Sequence, residues 1–249
     1  MRNKGFTLLE LLVAMALVGL IFAAFLQVFT GTLSQSTLTS ARAELLKEGQ
    51  IAVQVMASRL QEACYLYPSG SVVRMANSGY STQKPDGSYD WTVGTDPILA
   101  MILPPNPESA NPDSYRFYAY YPLGRGFYNR NAGASLQLEP DAANDGVWVL
   151  MEYRRNLDPT LTPGRLATCA TLAQRLTNPD DLQGGTARVL VDYTQPEGGI
   201  YRLFTVNPAA ATLNLRMQRA LQGQNLSVGG GGNGLTVRVF PRNLTVLAP

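Results

Sequence analysis

Few residues in this chain are placed to do chemistry, and the first of them is a carboxylate in the wrong solvent. Glu10 sits inside the run FTLLELLVAMALVGLIFAAFLQVF, which extends from Phe6 to Phe29 and is otherwise interrupted only by Thr7 and Gln27. A lone carboxylate in hydrocarbon costs about 2.5–3.5 kcal/mol on insertion scales, so it marks a functional position by default. It needs a proton or a cationic partner. The run offers no cation of its own, and Lys4 is off the i, i+3 and i, i+4 spacings that share a helical face. The partner is therefore made by processing or lies on another chain. Three plainer readings compete. A secretory signal has an apolar core of about 7–15 residues ending at a small-residue site, which is shorter than this run. A plain signal anchor fits the length but leaves Glu10 unexplained. Glu10 near the interface could also snorkel to water.

The remaining candidates are weaker. The chain has no histidine, so it has no histidine-based triad, histidine metal site or histidine pH switch. No Gly-x-Ser-x-Gly is present, which argues against an anchored hydrolase. Asp86 and Asp90, or Asp141, Asn144 and Asp145, could offer oxygens to calcium. They do not match a calcium-binding helix-loop-helix pattern, and Asp-Gly at 86–87 and 145–146 reads more simply as turn chemistry. No metal site and no cofactor is expected. Arg125, Arg130, Arg154 and Arg155 with Phe127 and Tyr128 could form a basic–aromatic nucleic-acid patch, against the plainer reading of solvated arginines beside core aromatics. In Tyr115–Tyr121 (YRFYAYY), strand alternation would expose one set of aromatics and bury the other. The glycine run Gly229–Gly234 reads as a flexible hairpin loop; it lacks the Lys-Ser/Thr of a phosphate loop.

The elements that must position these residues follow from periodicity. As a helix, 6–29 spans about 36 Å, enough for a hydrocarbon core of ~30 Å. Thr30–Ser40 is polar, and Gly31 could loosen the helix there. Leu38, Ala41, Leu45, Gly49, Ala52, Met56, Leu60 and Ala63 then recur at steps of three and four, so one stripe continues to about Ala63. Pro68 and Gly70 are stop signals. Residues 70–97 read as a long loop or short strands. Strands are expected at Ile98–Leu103, Tyr115–Tyr121, Val147–Tyr153, Arg188–Tyr193, Tyr201–Val206, Leu213–Met217, Leu235–Phe240 and Leu244–Leu247, with a short helix over Arg165–Leu176. Strands without long intervening helices argue for antiparallel sheet.

Lys4-Gly5-Phe6-Thr7-Leu8-Leu9-Glu10 resembles the prepilin signal of type IV pilins and type II secretion pseudopilins. A short basic leader ends in Gly, and Phe-Thr-Leu-Leu-Glu opens an apolar helix. The resemblance implies that a prepilin peptidase cuts between Gly5 and Phe6 and N-methylates Phe6. Glu10 becomes the assembly contact, pairing with the amino terminus of a neighbouring subunit. It also implies the α+β pilin architecture: a long N-terminal helix packed on an antiparallel β-rich domain. The expected divisions are 1–5 leader, 6–29 membrane or filament-core helix, 30–64 amphipathic continuation and 65–249 extracytoplasmic domain. The implied partners are other pilin or pseudopilin subunits, the peptidase, an inner-membrane assembly platform and the membrane itself. The protein would be a single-pass inner-membrane protein before assembly, then part of a periplasmic or cell-surface filament, and no enzyme.

Arg2 and Lys4 fit the positive-inside rule, which leaves the bulk of the chain outside the cytoplasm. There the two cysteines, Cys64 and Cys169, suggest a disulfide, with two buried free thiols as the alternative. Size and the segments Leu45–Ala52 and Met56–Ala63 resemble the large minor subunits of the J-type pseudopilin and W-type minor pilin group. Glu10 argues against the K-type tip pseudopilin, which typically lacks it. The expected role is assembly at or near a filament tip. The alternative is a tip adhesin or DNA-uptake subunit with its recognition surface in 70–135. Without the leader, 18 basic residues balance 18 acidic ones, which weighs against bulk attraction to DNA.

Overall fold

A computed structural model describes residues 8–106, 108, 114–157, 169, 172, 179–207, 209–229 and 235–244. The chain forms two units, Met1–Glu44 and Leu45–Pro249. Helix α1, Leu8–Glu62, provides the described part of the first and opens the second.

In the first unit the helix runs without a break through Gly31 and the Ser/Thr-rich stretch, so the expected loosening there does not occur. The side-chain hydroxyls of Thr30, Thr32, Thr37 and Thr39 donate to the carbonyls of Leu26, Val28, Leu33 and Gln35. Each hydroxyl thus finds its acceptor one turn back and leaves the helical ladder intact. Apolar side chains surround the helix from Leu8 to Leu33, and they are exposed.

In the second unit the expected stripe is the buried one: Leu45, Gly49, Ala52, Met56, Leu60 and Ala63 all face inward. Gly49 shows why small residues occur in it. A Cβ there would lie 2.8 Å from Leu235 Cδ1 and 3.2 Å from Met217 Cγ, so glycine lets the helix approach those side chains closely. Past Glu62 the backbone enters a sheet directly, with the Cys64 and Tyr67 amides donating to Ile102 and Ala100.

The strands are β1 Tyr65–Leu66, β2 Val72–Arg74, β3 Asp90–Thr92, β4 Leu99–Leu103, β5 Arg116–Gly124, β6 Trp148–Asn156 and β7 Thr186–Thr194. After them come β8 Phe204–Asn207, β9 Ala210–Asn214, β10 Met217–Leu221, β11 Gln224–Val228 and β12 Thr236–Val239. A seven-stranded sheet has the order β1-β4-β5-β6-β7-β10-β11, beside a three-stranded sheet β12-β9-β8 and the hairpin β2-β3. Among the described residues every strand pair is antiparallel. The architecture is therefore α+β and pilin-like, a long N-terminal helix on an antiparallel β-rich domain.

One face of the large sheet carries Ile102, Phe117, Ala119, Tyr121, Met151 and Tyr153 into a core shared with Val73, Met75 and Trp91 of the small hairpin. On the opposite face Tyr118 lies beneath Arg59 of α1, its ring centroid 5.5 Å from the guanidinium carbon. β5 is consequently covered on both sides.

Several expected elements differ. The run Leu213–Met217 is not one strand: β9 ends at Asn214, β10 begins at Met217, and the chain changes sheets between them. Of the glycine run 229–234 only Gly229 is described, and the strands on either side, β11 and β12, belong to different sheets. The hairpin instead joins β10 to β11 through Gln222 and Gly223, both at positive φ (52° and 74°), the backbone shape of a two-residue turn. The seven-residue helix α2, Arg125–Asn131, carries no apolar periodicity that would have announced it. Of Arg165–Leu176 only Cys169 and Leu172 are described, both helical, and Leu244–Leu247 extends beyond the described residues.

Candidate functional site

Glu10 lies in the first turn of the described part of α1. Gly5 and Phe6 lie outside the described residues. Around and beyond Glu10 the surface is hydrocarbon: Leu8 is 80% exposed, Ile21 70% and Val28 69%. A helix apolar on all sides has no face to give to water and is stable only in a bilayer or among other apolar helices. By length and composition it can cross a membrane. The arrangement is thus a membrane-competent rod with one carboxylate near its beginning. It can bury apolar surface and place one negative charge in a low dielectric.

Cys64 and Cys169 are joined in a disulfide, with Cα atoms 5.7 Å apart and a sequence separation of 105. Cys64 follows the last turn of α1, so the bond ties the helix end to the later part of the domain. Both residues are buried in the main core.

The carboxylates considered for calcium serve cations and turns. Asp90 pairs with Arg74 at 2.5 Å, and this hydrogen-bonded guanidinium holds its carboxyl below the usual range. Asp86 Oδ1 accepts from the Ser88 amide at 2.8 Å. Asp141 Oδ2 accepts from the Tyr193 hydroxyl at 3.0 Å and from Asn144 Nδ2 at 2.8 Å. Asp145 lies 3.8 Å from Arg125.

Of the residues weighed for a basic–aromatic patch, Arg125 and Tyr128 are buried, while Arg130 and Arg154 are exposed. Arg125 is fully buried. Its Nε donates to Asp192 Oδ2 at 2.9 Å, and its Nη2 to the Glu139 carbonyl at 2.6 Å. Burial lifts the Asp192 carboxyl above the usual carboxylate range. The guanidinium carbons of Arg125 and Arg219 lie 5.1 and 4.6 Å from the centroid of the Tyr193 ring. Its hydroxyl is pushed up to about 12, chiefly by burial. Tyr128 is buried as well. In β5, Phe117, Tyr118, Tyr120 and Tyr121 are all buried, where alternation alone predicted one exposed set; the second face is covered too.

Sequence reasoning missed a polar cluster on the α1 side of the large sheet. Glu152, 2% exposed, accepts from Tyr120 Oη at 3.1 Å and Arg188 Nε at 2.8 Å. The signal was available: a carboxylate within the apolar strand VWVLMEY.

Residues 1–26 match the prokaryotic N-terminal methylation motif. No curated protein and no solved structure matches the chain. The matched segment contains Gly5, Phe6 and Glu10 and runs into the exposed apolar part of α1. The chain therefore carries the class III signal of type IV pilins and pseudopilins, which supports its processing by prepilin peptidase and its assembly with other pilin subunits.

Proposed function

We propose that this protein is a minor pilin or pseudopilin incorporated at or near the tip of a type IV pilus or type II secretion pseudopilus, where it primes assembly. The observation that carries this reading is the register of the methylation motif: Gly5-Phe6 followed by Glu10 at the head of an apolar helix. Cleavage between Gly5 and Phe6 creates an ammonium group at Phe6, which is then N-methylated. In the filament that ammonium meets Glu10 of a neighbouring subunit. The low dielectric that makes Glu10 costly alone makes the pair strongly attractive, so only correct axial placement of the two chains is tolerated. The chain is a structural subunit and the peptidase's substrate, not an enzyme. It waits in the inner membrane as a single-pass protein, and an assembly platform lifts it into the filament.

Its size and strand-rich domain support placement in the J-type and W-type group. An adhesive or DNA-uptake role would need a recognition surface in 70–135, and Arg125, Tyr128 and the β5 aromatics are buried there.

The test is deletion together with labelling. Loss of the gene should abolish or sharply reduce filaments or secretion, and antibody to residues 65–249 should mark filament ends. Labelling along the whole shaft, or normal assembly without the protein, would contradict a tip-priming role.

A further inference from the structure

We propose that the open, α1-side face of β6 and β7 is a docking pocket for an aspartate or glutamate side chain of a neighbouring subunit; this rests on the filament-subunit reading above. The pocket is lined by Arg59, Tyr118, Glu152, Arg154, Thr186 and Arg188. Strand register builds it from two rungs across the sheet. Tyr118, Arg154 and Thr186 form one rung, and Tyr120, Glu152 and Arg188 form the next. Arg59, in the last turns of α1, closes one side from above Tyr118.

Charge decides what fits. Glu152 is buried and already holds Arg188 at 2.7 Å, so its negative charge is spent inside the pocket. Glu62 is shared at 3.6 Å with Arg59 and at 3.8 Å with Arg116, and it is partly exposed. Arg154 makes no salt bridge among the described residues. The lining thus sets three arginines, Arg59, Arg154 and Arg188, against the one carboxylate Glu152, leaving an excess of positive charge in a polar recess beside an aromatic floor. A guanidinium fork matches a carboxylate in geometry as well as in charge. Carried by the folded domain, such a contact would choose which neighbour is accepted, a role charged pairs fill better than apolar area.

The test uses the full chain in native membranes and sheared filaments. Arg154→Lys keeps the charge and introduces an amine in the pocket. A carbodiimide then joins amines only to carboxylates in contact, and mass spectrometry reads the linked peptides. The expected result is a cross-link from position 154 to an aspartate or glutamate of another subunit, absent when Arg130→Lys, outside the pocket, is treated in the same way. A link only to Glu62 or Glu152 of the same chain, or none, overturns the proposal. Independently, Arg154→Glu should lower recovery in filaments roughly tenfold while leaving N-terminal processing intact; unchanged recovery overturns it. Wild-type chain in the same preparation separates the two claims. An uncut N-terminus there removes the filament reading, whereas processed and assembled wild type without the cross-link removes only the pocket.

Discussion

The two units of this chain solve opposite problems. From Leu45 onward the domain buries most of its apolar side chains against itself. Its helical stripe is buried, its β5 aromatics are covered on both faces, and its buried cation Arg125 is paired with Asp192. The first unit satisfies little internally: its large apolar side chains from Leu8 to Leu33 are exposed along α1. Hydrophobic surface of that extent finds its partner in lipid or in other helices. The difference teaches where to look for function. A self-sufficient domain is cargo or a recognition module, while an unsatisfied helix states that the chain works by joining something.

The sharpest way to break the comparison is to alter each unit where it depends most on one group. Glu10→Ala should leave the domain folded and the leader cleaved, yet remove the protein from sheared filaments almost completely; immunoblots of membrane and filament fractions read this. Recovery at wild-type levels would mean that the first unit needs only apolar surface. In the second unit, replacing Cys64 and Cys169 together by serine should cost about 3–5 kcal/mol, the chain-entropy effect of so long a loop. Thermal unfolding of the detergent-solubilised protein measures this, and filament targeting of any folded fraction should persist.

Gly185→Ala should cost about 1–3 kcal/mol, because a Cβ there would collide with the Arg154 carbonyl and lie 2.6 Å from the Tyr153 hydroxyl. The Gly185 amide also donates to that hydroxyl at 2.6 Å. Denaturant midpoints test this.

The smallest effect belongs to Arg74 and Asp90. Arg74 lowers the folded-state pKa of Asp90 below its ordinary value of 3.8. The pair therefore stabilises fully above that value and is lost as pH falls through the depressed one. Arg74→Ala should cost no more than about 1 kcal/mol near neutrality, since both side chains are partly exposed, and the difference should vanish in acid. A pH series of melting temperatures checks the sign.

Much of this organisation was legible in the sequence because it rests on short-range rules. The helical stripe from Leu45 to Ala63 follows from spacing, and β4, β6 and β7 follow from apolar β-branched runs between turn residues. The placement of Glu10 within an exposed apolar helix was legible for the same reason, since charge against hydrocarbon is local. What failed was long-range. Nothing local says that the chain leaves one sheet at Asn214 and enters another at Met217. Nothing local says that a second layer covers the outer aromatics of β5, or that Arg125 is drawn inward by Asp192 across β7. The pocket beside Arg154 was missed because its rungs come from three strands whose register is set only by folding.

The most direct measurement is the mass of the protein purified from native membranes, with fragmentation of its N-terminal peptide. The account predicts a chain that begins at N-methyl-Phe6. A chain that begins at Met1 with Gly5 and Phe6 still joined would contradict it, leaving a membrane-anchored domain whose Glu10 has no assembly role.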